Sequence, residues 1–226
     1  MTARTVIVTG GFGTLGRAVA AAFARAGDKV ARVDFAEGAP DGDAALDIGG
    51  RDIADPAVAK AVVAEVIAAL GAPAVLVNVA GGFVWEPLEA GGAATWERMF
   101  RMNALTAANM AQAALPALKG QAQAAIVNIG ANGALKAAAG MGGYGASKAA
   151  VHRLTESLAE ELKGTGVTVN AVLPSIIDTP ANRTDMPDAD TGDWVKADAI
   201  ADAILFLASP AARAISGALI PLTRGG

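Results

Sequence analysis

Tyr144 and Lys148 stand four residues apart in the stretch GMGGYGASKAAVHRL (140–154), a spacing that stacks two side chains on one face of a helix a turn apart. A phenol with a pKa near 10 is a poor acid–base group at neutral pH, and a neighbouring ammonium favours the phenolate and draws that value down. The pair thus makes Tyr144 a usable proton donor or acceptor. Other chemistries are scarce in this chain, which has no cysteine and a single histidine, His152. Thiolate sites, disulfides and histidine-based metal clusters are excluded on that count, and no metal site is expected.

The second cluster is TGGFGTLG (9–16), which follows the apolar run RTVIVTG (4–10) and opens a helical pattern. A glycine turn between a strand and a helix is the setting that binds a dinucleotide. Gly10 lets the chain turn sharply, Gly13 lets the backbone approach a pyrophosphate and Gly16 lets the helix pack on the sheet, while the helix N-terminus faces the phosphates. Asp34 lies at the end of the next strand pattern. A carboxylate there accepts hydrogen bonds from the adenosine ribose hydroxyls and repels a 2′-phosphate, which favours NAD(H) over NADP(H). Arg32 and Arg17 are the two side chains that could instead meet a phosphate and keep NADP(H) possible. A bound nicotinamide, positive when oxidised, would add to the effect of Lys148 on Tyr144. NVAGG (78–82) ends another apolar run in glycines, where a cofactor must pass close to backbone. Asn78 there either supports the cofactor or stitches neighbouring strands.

These residues need a scaffold that brings strand ends together. The 226 residues are 53% hydrophobic and only 4% aromatic, the makeup of a parallel sheet of Val, Ile and Leu under alanine-rich helices. Strand patterns at 4–10, 29–35, 73–81, 124–130, 167–174 and 217–222 alternate with helical patterns at 14–26, 56–70, 94–118, 143–163 and 196–208. That succession predicts an α/β fold: one Rossmann-type doubly wound parallel sheet, a single domain over residues 1–226. The helix at 143–163 carries an apolar stripe at Val151, Leu154, Leu158 and Leu162. His152 lies off it and is expected at solvent or a subunit contact. The proline-punctuated stretch DTPANRTDMPDADTGDW (178–194) leaves a central strand at its carboxyl end, which makes residues 178–195 a substrate lid.

The net charge is -4 and no basic block is present, so neither nucleic acid nor an anionic membrane surface is an expected partner. A small-molecule substrate fits better. The apolar run before the first glycine turn is too short for a signal peptide, and no apolar run approaches about 18 residues, so the expected location is the cytoplasm.

Taken together, the glycine turn, NVAG (78–81), Asn103, YGASK (144–148) and PSIIDT (174–179) resemble, in order and spacing, the short-chain dehydrogenase/reductase family across nearly the whole chain. Within it, GMGGYGASKAAVHRL and VLPSIIDTPANRTDMPDAD are similar to the dihydropteridine reductases. The resemblance implies hydride transfer with Tyr144, Lys148 and Asn103 as catalytic residues. Lys148 would also hold the nicotinamide ribose, and Asn103 a water of the proton relay. It implies cofactor contacts from Phe12, Thr14, Leu15, Asp52, Ile53, Ala80, Gly81, Pro174, Ile176, Ile177 and Thr179, the last alternatively a helix cap. Association of the 143–163 helix into a homodimer or homotetramer is also implied.

Two motifs depart from the family pattern. The middle glycine of the turn comes one position early, and Ser175 replaces a glycine after Pro174. A third departure bears on the chemistry: Ala131 stands where the family's catalytic serine is expected. That serine donates to the oxygen that becomes negative during hydride transfer, and the dihydropteridine reductases also lack it. An activated acceptor such as quinonoid dihydropterin needs the donor less. The competing expectation is a carbonyl reductase or alcohol dehydrogenase, acting on a small ketone or secondary alcohol, in which Asn132 or the lid supplies the missing donor. Trp85 and Trp194 are candidates to stack on a flat substrate or to pack as core or hinge. A catalytically silent NAD-binding regulator is the alternative of another class.

Overall fold

The computed structural model describes residues 3–42 and 44–224. β1 (Thr5–Thr9) is buried at all five positions, as a central strand covered on both faces must be. Then follow α1 (Thr14–Arg25), β2 (Lys29–Val33), β3 (Leu46–Ile48), α2 (Pro56–Leu70), β4 (Pro73–Asn78) and α3 (Ala93–Met99). A π-helical turn (Phe100–Leu105) joins α3 to α4 (Thr106–Lys119), and β5 (Ala124–Ile129), a 3₁₀ turn (Asn132–Ala134) and α5 (Gly142–Glu161) come next. The chain continues through β6 (Val167–Pro174), β7 (Ile177–Asp178), α6 (Pro180–Asp185), β8 (Val195–Lys196), α7 (Ala197–Leu207) and β9 (Leu219–Leu222).

Seven strands form one parallel sheet in the order β3-β2-β1-β4-β5-β6-β9. Val6, Val8, Val75 and Val127 turn to one face, under Val19 and Phe23 of α1 and Ile200 and Ile204 of α7. Ile7, Leu76 and Ile126 turn to the other, under Val62 and Val66 of α2, Met110 and Leu118 of α4 and Leu158 of α5. This is the expected Rossmann-type sheet. The strand order reverses between β1 and β4, and the crevice beyond the carboxyl ends of such strands is where open α/β sheets bind ligands. Thr9 closes that point: its hydroxyl oxygen accepts from the backbone N–H of Val79 and of Ala80, both at 3.1 Å.

Three features differ from the sequence-based expectation. β3 is a three-residue edge strand, too short to show a period-two pattern. The helix expected at 94–118 is interrupted by the π turn, whose extra residue leaves the apolar periodicity nearly intact. Finally, the stretch at 178–194 holds the helical turn α6, capped by Thr179 and tied down by a bidentate Arg183–Asp178 pair at 2.6 and 2.9 Å. β7 pairs with β8 to clamp its two ends. Among the described residues no helix is long and apolar enough to cross a membrane.

Candidate active site

Gly10 has φ +63°, and a Cβ there would lie 2.8 Å from the Ala80 nitrogen. A Cβ on Gly16 would sit against the Gly10 carbonyl. Both positions therefore require glycine to bring α1 onto the sheet. Gly13 is different: an added Cβ would meet only the Gly10 oxygen, at 3.5 Å. Its lack of a side chain serves no packing and leaves room for something outside the chain. That space belongs to a cavity of about 1360 Å³ running along the strand ends from Asp34 to Tyr144, beyond the roughly 300–1,000 Å³ of an ordinary small-molecule pocket and suited to a dinucleotide with a substrate. Gly10, Phe12, Gly13, Leu15, Gly16, Asp34, Asp52, Ile53, Ala80 and Gly81 line it, as do Pro174, Ile176 and Ile177. When bound, a nicotinamide dinucleotide supplies hydride donation or acceptance, and these residues are the ones that would hold it.

Asp34 is anchored at the edge of the cavity. Its Oδ2 accepts from the Phe12 N–H at 2.9 Å and its Oδ1 from the Ala36 N–H at 3.1 Å, leaving further lone pairs of each oxygen for a hydroxyl donor. Arg32, in contrast, is withdrawn. Its guanidinium donates to both oxygens of Asp47 at 2.7 and 2.8 Å and to the Pro40 carbonyl at 2.8 Å, beneath the Phe12 ring. The hydrogen bonds from Arg32 to Asp47 raise its pKa further. Arg17 and Thr14 line a separate, smaller hollow of about 300 Å³ beside α1, so neither faces the main cavity.

At the other end, α5 places Tyr144 and Lys148 on the cavity wall. The Phe83 ring meets the Tyr144 ring edge-on, centroids 4.9 Å apart and planes at 84°. Lys148 is buried and its Nζ donates to the Ile129 carbonyl at 2.8 Å. Burial pushes the Tyr144 phenol up to about 12 and the Lys148 ammonium down to about 8. In the protein by itself desolvation thus outweighs the drawing-down of the phenol expected from the neighbouring ammonium. The phenol holds its proton throughout the neutral range.

Asn103 sits in the π turn, a distortion that recurs at functional sites. Its Oδ1 accepts from the Gly82 N–H at 2.9 Å, and its Nδ2 donates to the Gly82 carbonyl at 3.1 Å and to the Ser147 Oγ at 2.9 Å. Its amide is committed to the chain, and it positions Gly81–Gly82 beside Lys148. A Cβ on Gly81 would come within 2.5 Å of Asn103 Oδ1 and 3.3 Å of Lys148 Nζ.

Several expected contacts are placed elsewhere. Asn78 is buried behind the cavity, donating to Asn128 Oδ1 at 2.9 Å, so it stitches β4 to β5. Thr179 accepts from the Asn182 N–H at 3.1 Å as the cap of α6. Trp85 donates to the Ala139 carbonyl at 3.0 Å and covers Gly140, and Trp194 is core. His152 is not at solvent: it is 2% exposed, with Nε2 3.3 Å from the Ala131 N–H that donates to it. The turn of α5 carries it round toward β5, where the apolar stripe alone did not place it. Ala131 and Asn132 do line the cavity. Sequence reasoning named none of Thr9, Phe83, Ser147, Asn182 and Met186 individually, although Thr9 opens the TGGFGTLG turn, Ser147 lies inside YGASK, and Asn182 and Met186 fall within the expected lid.

The chain belongs to the short-chain dehydrogenase family, whose sequence model matches residues 4–190. It is therefore an NAD(P)-dependent oxidoreductase of that family. It is 29% identical to 2-(S)-hydroxypropyl-CoM dehydrogenase 3 of Xanthobacter autotrophicus over 97% of this chain and 95% of that protein. Its fold is similar to that of 3-ketoacyl-(acyl-carrier-protein) reductase from Brucella melitensis complexed with NADH, at TM-score 0.87 and 27% identity over 97% and 96% of the two chains. A Pseudomonas aeruginosa short chain oxidoreductase, NADPH-bound and containing an atypical catalytic center, is similar at TM-score 0.87 and 25% identity over 97% and 95%.

Proposed function

We propose that this enzyme is an NADH-preferring reductase of a flat, already activated acceptor, of which quinonoid dihydropterin is the representative, with Tyr144 as proton donor. The observation that carries this reading is Ala131. It lines the cavity with a methyl group, and its backbone N–H is already given to His152. Position 131 therefore offers a developing oxyanion no donor from side chain or main chain. An acceptor that gains aromatic stability on reduction and spreads charge over ring nitrogens does without one. The surrounding wall suits a planar molecule: Phe83, Met141, Ile176 and Met186 are apolar, and Asn132 supplies an amide. Residues 178–195 act as the lid, and Tyr144, loaded with its proton, acts in the direction of reduction. The enzyme works as a homodimer or homotetramer, an arrangement supported by exposed Trp96, Phe100 and Leu105 on neighbouring turns.

A second reading, a carbonyl reductase or alcohol dehydrogenase, is favoured by Asn132, which lines the same wall with no hydrogen bond from its side chain among the described residues. The name of the Xanthobacter relative, a dehydrogenase of a hydroxypropyl compound, points the same way. NADH oxidation with quinonoid dihydropterin, run beside a panel of ketones, imines and quinones, separates the two. Turnover of the pterin well above every ketone is expected. An inert pterin with a rapidly reduced ketone establishes the second reading, and tight NADH binding with no turnover would mark a silent regulator.

For the cofactor, NADH is expected to exceed NADPH in kcat/KM by at least about tenfold, because a 2′-phosphate would meet the Asp34 carboxylate while Arg32 is spent on Asp47. Asp34→Ala shrinks that ratio. Equal use of both cofactors by the unmodified enzyme would show that Arg17 or another cation reaches the phosphate.

A further inference from the structure

The side of α5 that carries Tyr144 and Lys148 continues to His152, another turn along. Three of its side chains fasten the carboxyl end of β5 in sequence. The Thr155 Oγ1 accepts from Asn128 Nδ2 at 2.9 Å, the Lys148 Nζ donates to the Ile129 carbonyl at 2.8 Å, and His152 Nε2 accepts from the Ala131 N–H at 3.3 Å. The ring lies flush against backbone because residue 130 is glycine: a Cβ there would be 2.6 Å from Nε2 and 2.8 Å from Cδ2.

We propose that His152 is a positioning residue, a neutral acceptor that sets the backbone at Gly130–Ala131 and, through Ile129, the place of the Lys148 ammonium, so that its protonation loosens the cofactor site. The neutral form is required by geometry. An imidazolium would turn an N–H toward the Ala131 N–H, and donor would face donor. It would also place a second buried cation near Lys148, with Arg153 the other cation that faces it and no carboxylate acting on it. Burial first, then Arg153 and Lys148, hold the His152 pKa below its ordinary value. As the pH falls below about 6.5, the unfolded chain takes up the proton before the folded one does. The stability and geometry tied to the neutral ring are then lost as the pH drops through the lower folded value.

The inference rests on the reading that Lys148 holds the cofactor. Its test is the dissociation constant of NADH, followed by fluorescence titration from pH 5 to 8, which involves no acceptor and so stands apart from the choice between pterin and ketone. For the unmodified protein the constant is expected to be flat from about pH 7 down to the lowered folded value of His152 and to rise by up to about tenfold per pH unit below it. His152→Gln keeps an acceptor at the same reach without a titrating proton. It should bind within about threefold of the unmodified protein at pH 7.5 and lose the acid-side weakening. His152→Leu leaves the Ala131 N–H without a partner and should weaken binding about tenfold at every pH. Gly130→Ala should shift binding the same way by displacing the ring. Retention of the acid-side weakening in His152→Gln, or its absence from the unmodified protein, overturns the proposal, as does unmodified affinity in His152→Leu. If His152→Leu does not fold, the Gln variant decides the matter by its pH profile.

Discussion

Replacing Tyr144 with Phe is expected to lower kcat/KM for an unactivated ketone by about 10²–10⁴, the usual worth of a positioned general acid. The phenol is well prepared for that role. It stands on the cavity wall, Phe83 holds its ring edge-on, and burial keeps its pKa at about 12, so near neutral pH it always carries the proton to be delivered. An alkoxide forming beside it has no other side-chain proton source of that kind: Lys148 is turned to the Ile129 carbonyl and Asn103 to Gly82. A reduced pterin collects its proton at a ring nitrogen and can take it from water, so its loss should stay within about tenfold. Steady-state rates of the variant on both acceptors make the comparison. Equal loss on both would mean that the acceptor is not activated in the sense proposed.

The complementary expectation is a gain. Ala131 has extended backbone angles, φ -156° and ψ 137°, which serine adopts without strain, and it lines the cavity. Ala131→Ser adds a hydroxyl where the family's donor would stand. Reduction of unactivated ketones should then rise by up to about two orders of magnitude, the worth of one oxyanion donor. Reduction of the activated acceptor should change by a few-fold at most. If Ala131→Ser alters neither rate while Asn132→Ala destroys ketone reduction, Asn132 is the substitute donor, and substrate activation does not explain the missing serine.

The order and type of the main strands and helices were legible in the sequence because they rest on local signals. A β-branched run closed by glycine, a glycine-rich turn opening a helical pattern, a carboxylate at the end of the second strand and a tyrosine one helical turn from a lysine each declare themselves within a few residues. What a side chain faces is another matter, since it depends on contacts between segments far apart in the chain. Arg32 was a candidate for phosphate until β3, an edge strand of three residues, delivered Asp47 to it. Asn103 was expected to hold water, and the π turn instead aims its amide at Gly82. Thr179 was expected at the cofactor or as a helix cap, and the short helix after it uses its oxygen as the cap. His152 looked solvent-facing by the apolar stripe of its helix. Packing of α5 on the end of β5 buries it against Gly130, a glycine 22 positions earlier whose missing side chain is what admits the ring. The residues able to do the chemistry were thus a property of the sequence, and which of them are free to do it was decided by tertiary contacts.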